Sequence, residues 1–323
     1  MEKNKPIIEY RQKYLDYLEI EQGLSSTSQK NYHRFLNKFF DWLKNNNLSH
    51  LKPNELNTDI VSKYRLFLAR HVDPRTRKTL KKTTQNLYLI ALRSLLSFFL
   101  EKNITSLPPD KIKLAKDKSD SEVKFLTLEQ LEKLLNAPNL NKITGLRDKA
   151  ILETLFSTGL RVAELVNLNR DQLKIKKDTQ DLEISIIGKG EKIRTVYFSE
   201  RAVDSLRRYL NKRKDMDEAL FINYWRPAQR SNQSRRLTVK SIDDIIKKYV
   251  KIAGLPTIIT PHSIRHSFAT DLLSQGADLR LVQEFLGHKN ISTTQIYTHV
   301  TSKRLRDAHK KLHSGRKTNK KNL

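Results

Sequence analysis

Apolar residues recur at steps of three or four through the first hundred positions. Ile7, Tyr10, Tyr14 and Leu18 form one stripe, and Tyr32, Leu36, Phe39 and Leu43 a second. Ile60, Tyr64 and Phe67 form a third, and Leu87, Ala91, Leu95 and Phe98 a fourth. Each stripe predicts one apolar face of an amphipathic helix. Ser25 to Ser28 offer hydroxyl caps before the second helix, and Thr83-Thr84 before the fourth. Four helices joined by short polar connections predict a small bundle over 1–108. Leu107-Pro108-Pro109 ends the fourth helix, because proline lacks an amide donor and restricts the residue before it. Residues 109–124, rich in Lys, Asp and Ser, are expected to be an exposed linker.

The remainder, 125–323, mixes two periods. Thr127 and Gln130 form a capping box for a helix through Leu135. Arg147–Phe156 and Arg161–Leu168 read as helices on either side of Gly159. The period then drops to two: Leu182, Ile184 and Ile186 alternate with Glu183 and Ser185, and Ile193, Thr195 and Tyr197 recur beyond Gly188-Lys-Gly-Glu-Lys192. That pattern predicts a β-hairpin with a glycine-bracketed tip. Helices are expected over 200–212, 238–253, 261–275, 278–286 and 292–310. The fold class is mainly α with one small antiparallel sheet.

Charge changes the picture. Among 323 residues, 62 are basic and 35 acidic, a net charge of +27, with the excess present in both halves. So much self-repulsion points to a polyanionic partner. The absence of cysteine excludes disulfides, thiolate metal sites and cysteine nucleophiles. No apolar run is long enough for a membrane span, and the start lacks the apolar core of a signal peptide, so a cytoplasmic protein is expected.

Several polar residues stand at informative places. Thr260-Pro261 looks like a helix start, which puts His262 and Arg265 one turn apart on one face. Arg161 lies just past the glycine break, and Lys189 on the hairpin tip. His288 follows Leu286-Gly287, and Tyr297 follows a Ser292-Thr-Thr294 cap. Singly, each reads as a surface or packing residue. Together they suit phosphodiester chemistry: arginine forks match nonbridging oxygens, lysine or histidine can supply a proton, and tyrosine can form a covalent intermediate. No carboxylate cluster for magnesium accompanies them. His262 and His266 stand at i and i+4, but Ser263 occupies the place of a zinc protease's glutamate. No metal and no cofactor are expected.

This ordered set resembles the tyrosine recombinase (lambda-integrase) family. The resemblance rests on Thr158-Gly-Leu-Arg-Val-Ala-Glu-Leu165, Gly188-Lys-Gly190, His262-Ser-Ile-Arg-His266, Leu286-Gly-His288 and Tyr297-Thr-His299. Length and tail look most like the Xer recombinases within it. The resemblance implies a helical core-binding domain at 1–108 and a catalytic domain at 125–323 that clamp a DNA duplex between them. It implies that Tyr297 attacks a scissile phosphate, that Arg161 and Arg265 hold its oxygens, and that Lys189 protonates the leaving oxygen. His262 would orient or deprotonate the tyrosine, and His288 would donate a hydrogen bond to the phosphate. Glu164 is a candidate support for Arg161, equally readable as a helix-surface charge; His266 and His299 are expected to be structural. Implied partners are double-stranded DNA with paired half-sites, a homo- or heterotetramer on two duplexes, and an activating DNA translocase, all at the nucleoid. In the basic tail, 303–323, the stripe Leu305, Ala308 and Leu312 would pack on a neighbouring protomer. Chromosome dimer resolution is the leading expectation. Integration or excision of a mobile element, a type IB topoisomerase, and a DNA-binding protein with a dead site are the alternatives.

Overall fold

The computed structural model describes residues 5–74, 76–115, 125–175, 179, 182–188, 193–225 and 235–287. The chain divides into two compact units, Met1–Asp120 and Ser121–Leu323.

The first unit holds α1 (Arg11–Ile20), α2 (Ser26–Asn45), α3 (Thr58–Arg70) and α4 (Lys82–Glu101). A 3-10 turn, Ile7–Tyr10, leads into α1. Ser25 caps α2 by accepting the Ser28 N–H, and Asn57 caps α3 by accepting that of Ile60. The expected threonine cap of α4 is not used: that helix starts at Lys82, so Thr83 and Thr84 lie inside its first turn, and Lys81 precedes it without a side-chain cap. α4 packs against α1, α2 and α3. It therefore buries a broad face, Leu89, Ala91, Leu92, Leu95, Leu96, Phe98 and Phe99, and leaves Leu87 exposed, against the narrow stripe expected. Aromatic rings fill the core, with Tyr10 edge-on to Phe99 and Phe39 edge-on to Tyr64.

Residues 109–115, expected as exposed linker, dock on α4. Ile112 is fully buried, Arg93 donates to its carbonyl, and Asn86 exchanges two hydrogen bonds with the backbone of Ala115 at 2.9 and 3.0 Å. One apolar anchor and a set of backbone bonds hold this strap, and neither leaves a periodic trace in sequence.

The second unit is built on α6 (Ile143–Thr158), which packs against α5 (Leu128–Asn136), α8 (Glu200–Lys212), α10 (Pro261–Gln275) and the hairpin strand β2 (Ile193–Phe198). The capping box at Thr127 forms as expected, with bonds of 3.2 and 3.1 Å. α7 (Val162–Val166) follows α6 after Gly159 and is shorter than expected. β1 (Leu182–Ile187) pairs antiparallel with β2, from Leu182 opposite Phe198 to Ile187 opposite Ile193. β1 buries Leu182, Ile184 and Ile186 as read. On β2 the buried residues are Val196 and Phe198, whereas Ile193 and Tyr197 face outward. Register explains this: each inward residue of β1 faces Phe198, Val196 or Arg194, so the outward phase of β2 is Ile193, Thr195 and Tyr197. α9 (Val239–Ile252) completes the main core, and α10 closes on α11 (Leu279–Leu286) around Ala269, Leu273, Val282 and Leu286.

α6 is surrounded, so it buries charge as well as apolar surface. Asp148 accepts from Arg147 Nε and Nη2 at 2.9 and 2.7 Å and from the Tyr249 hydroxyl at 2.9 Å. Arg147 Nη1 donates to the Ile222 carbonyl at 2.8 Å. Such a pair is tolerated only because its polar atoms find partners, and removing one partner strands the other charge. Among the described residues no helix is long and apolar enough to cross a membrane, and no group of three or more histidine or acidic side chains could hold a metal ion.

Asp148→Ala is expected to cost about 3–5 kcal/mol, because Arg147 loses its counter-charge in the interior. Urea unfolding checks this; a loss below about 1 kcal/mol, the range of a surface pair, would show that Arg147 is not held by Asp148.

Candidate active site

The site starts from a turn. α6 ends at Gly159, whose φ of 59° lies in the left-handed region and whose N–H returns to the Leu155 carbonyl at 3.1 Å. A β-carbon there would sit 2.4 Å from Phe268 Cδ1, so space and conformation both require glycine. Thr158 donates its hydroxyl proton to the Thr154 carbonyl at 2.6 Å and accepts the Leu160 N–H at 3.3 Å. The turn buries Leu160 and brings Arg161 to the N-cap position of α7.

Glu164, one turn into α7, holds Arg161 twice. One carboxylate oxygen accepts the Arg161 backbone N–H at 2.8 Å, and the other accepts Nη1 at 3.1 Å. Arg194, on the inward face of β2, grips the same carboxylate with both prongs at 2.9 and 2.8 Å. The Glu164 side chain is 8% exposed. Burial pushes its pKa up, but the bonds from Arg194 and the Arg161 backbone, with both positive charges, hold it below the usual carboxylate range. Glu164 is thus a buried anchor, and the surface-charge reading of it is set aside. Arg194 escaped sequence reasoning. The apolar Ile193 and Tyr197 pointed to the other phase of β2, and only the register places Arg194 with Val196 and Phe198 on the inward face.

Arg265, on α10 one turn after His262, is buried. Its Nη1 donates to the Gly159 carbonyl and its Nη2 to the Leu286 carbonyl, both at 2.5 Å. Arg161 Nη2 reaches the next carbonyl, that of Gly287, at 3.4 Å. Gly287 is a left-handed cap on α11, with φ of 61°. The two arginines, about 100 residues apart in sequence, are therefore tied to successive carbonyls at the end of one helix. Thr260 and Pro261 open α10 as expected, with the Thr260 N–H donating to Ser263 Oγ at 3.2 Å. His262 is exposed at the head of that helix. His266 is partly buried; desolvation and the neighbouring His262 and Arg265 push its pKa below the usual histidine value.

Arg161 and Glu164 line a cleft of about 570 Å³ with Asn167, Gln172, Ile186 and Gly188. Lys189, His288 and Tyr297 lie outside the described residues, as do His299 and the tail 303–323. The arrangement presents two anchored guanidinium groups, which suits an oxyanion with several oxygens, such as a phosphate.

Gly159→Ala is expected to destabilise the protein by more than about 1 kcal/mol, through positive φ and the clash with Phe268. Gly254→Ala is the control: φ is also positive, at 64°, but nothing lies within 4 Å. Thermal unfolding should show the larger loss at Gly159. Because the Glu164 pKa is depressed in the folded state, its stabilising contribution is complete above the unfolded value of about 4.3 and falls away as pH drops through the lower folded value. The stability gap between wild type and Glu164→Gln should therefore be widest at neutral pH and close in acid; a gap independent of pH would contradict this.

Comparison with known proteins agrees with this geometry. Residues 124–304 match the phage integrase family, and residues 12–103 match the phage integrase N-terminal SAM-like domain. The tyrosine recombinase XerC of Thermodesulfovibrio yellowstonii is 34% identical over 313 residues, spanning 94% of this chain and 96% of that protein. The tyrosine recombinase XerD of Listeria innocua is 36% identical over 308 residues, spanning 93% and 97%. In fold, the chain is similar to the XerH recombinase bound to palindromic difH substrate, with a TM-score of 0.68, 24% identity, and coverage of 87% of this chain and 79% of that one. It is likewise similar to a lambda integrase dimer bound to a core site, with a TM-score of 0.65, 14% identity, and coverage of 89% and 97%. Family matches in both units, and relatives above 30% identity along more than nine-tenths of the chain, lead to one conclusion: the chain belongs to the phage integrase family and is a tyrosine-type site-specific DNA recombinase of the Xer kind.

Proposed function

We propose that this recombinase exchanges DNA strands through a covalent 3′-phosphotyrosyl link made by Tyr297, and that its task is chromosome dimer resolution. The observation that carries the reading is the arginine pair, with Arg265 and Arg161 fixed on the successive carbonyls of Leu286 and Gly287. Fixed cationic donors stabilise charge as it develops and need no reorganisation when it does.

In this reading the Tyr297 phenol oxygen attacks phosphorus. A bond forms between that oxygen and phosphorus, and the bond from phosphorus to the 5′-oxygen breaks. Arg161 and Arg265 bind the nonbridging oxygens, and His288 adds a hydrogen bond to the phosphate. His262 orients the phenol or takes its proton, and Lys189 protonates the departing 5′-oxygen. A 5′-hydroxyl from a partner strand then reverses the step and regenerates the tyrosine. The phosphodiester energy stays in the tyrosyl link throughout, so the strand is resealed without an outside energy source.

The partner is double-stranded DNA with paired half-sites, held by a tetramer on two duplexes. The net charge of +27 supports a polyanionic partner, and relatives in fold are bound to DNA: XerH to a palindromic substrate, and lambda integrase as a dimer on a core site. A DNA translocase would trigger the reaction, and a chromosomal substrate places the work at the nucleoid, in the cytoplasm.

Incubation with a duplex nicked near the scissile phosphate should trap a covalent, protease-sensitive adduct with wild-type protein and none with Tyr297→Phe, while DNA binding persists. An adduct with Tyr297→Phe would refute the nucleophile. Arg161→Ala and Arg265→Ala should each slow adduct formation by about 10²–10³-fold, with a much smaller change in affinity; equal losses would recast both as anchors for DNA. Binding should weaken steeply with salt. Sequencing the DNA trapped in cells separates the tasks: a site near the replication terminus supports dimer resolution, whereas the ends of a mobile element would replace it with integration or excision.

A further inference from the structure

We propose that Arg194 is a positioning residue for Arg161, acting through the carboxylate of Glu164 that the two share. The proposal rests on the phosphate-binding role given to Arg161 above.

Arg194 is paired opposite Ile186, in the inward phase of the hairpin. Its side chain is 12% exposed, and Glu164 is 8% exposed. Each carboxylate oxygen carries one bond from each arginine. Oε1 accepts Arg161 Nη1 and Arg194 Nη1, at 3.1 and 2.9 Å; Oε2 accepts the Arg161 backbone N–H and Arg194 Nη2, both at 2.8 Å. The two-pronged grip fixes the plane of the carboxylate, and that plane sets where the second arginine can bind. Arg194 also reaches the other anchor of Arg161. A β-carbon on Gly287 would lie 3.0 Å from Arg194 Cδ, so the Arg194 stem is packed on the turn whose carbonyl receives Arg161 Nη2.

One side chain on β2 therefore touches both groups that hold the Arg161 guanidinium. Without Arg194 the carboxylate would be buried with one cationic partner, held by two bonds where it now has four, and easier to protonate.

The test measures single-turnover adduct formation on the nicked duplex, together with DNA affinity, for wild type, Arg194→Ala, Arg194→Gln, Arg194→Lys and Glu164→Gln. Arg194→Ala is expected to slow cleavage by about 10–100-fold, the scale of an ångström-level misplacement, with affinity changed less than about threefold. The acid limb of its pH profile should move to higher pH, because Glu164 then protonates more readily. Arg194→Lys keeps a charge but not the fork, and should recover part of the rate. On the Glu164→Gln background Arg194→Ala should add less than about twofold, since the route is already cut. Arg194→Gln carries the same measurement if alanine lowers the unfolding midpoint. A wild-type cleavage rate in either folded variant overturns the proposal, as does equal slowing on both backgrounds. A wild-type protein that forms no adduct overturns the reading of the site, and the proposal with it; a wild-type adduct indifferent to Arg194 overturns the proposal alone.

Discussion

A single buried carboxylate organises the arginines of the second unit. Glu164 is withdrawn from water, which by itself would favour its neutral form, yet four donors from two arginines keep it charged. In return it fixes where both arginines point. The surrounding elements serve this contact: Gly159 turns the chain so that Arg161 heads α7, the register of the hairpin sets Arg194 inward, and the end of α11 supplies carbonyls to Arg161 and Arg265. Guanidinium groups brought together would repel one another. Here three of them, on Arg161, Arg194 and Arg265, are offset by the one formal negative charge of Glu164 and the partial charges of three carbonyls, which lets a cationic site exist before any substrate arrives.

The rest of the second unit shows why that contact can be held rigidly. α6 is enclosed by α5, α8, α10 and β2, and the buried charge of Asp148 is partnered in the same manner, by Arg147 and Tyr249. A helix tied on every side is a fixed post, and the Gly159 turn is attached directly to its end. The first unit uses a different material. Its core is aromatic, with Tyr14, Phe39, Tyr64 and Phe99 almost fully enclosed, and α4 runs through the middle.

Much of the fold could be read from the sequence, because helical and strand periods are direct imprints of burial. The stripe Ile7, Tyr10, Tyr14 and Leu18 is buried throughout, and Thr127 and Gln130 form the box their spacing predicts. The misreadings have different causes. A helix buried on more than one side loses its clean period, so α4 hid its wide face behind Leu87; β2 is buried on one face only, but its exposed face carries the apolar Ile193 and Tyr197, which drew the reading away from the buried Val196 and Phe198. Contacts made by backbone atoms are harder still, as at Ile112 and Ala115, since any residue type supplies a carbonyl. In the site, Arg161 and Arg265 were legible as members of an ordered set, whereas the tie between them was not. It runs through main-chain oxygens, and the support of Arg161 runs through Arg194, whose identity means little until the register is known.

That the arginines rest on main-chain oxygens has a consequence for how this enzyme can vary over evolutionary time. Position 286 is free to drift among residues that fill the space beside Val282, since its carbonyl survives any such exchange. Positions 159 and 287 have no such latitude: handedness forbids most replacements at both, and Phe268 and Arg194 crowd the first atom any side chain would add. A survey of tolerated variants should therefore find two invariant corners flanking residues of changeable identity, a pattern set by stereochemistry before catalysis makes any demand.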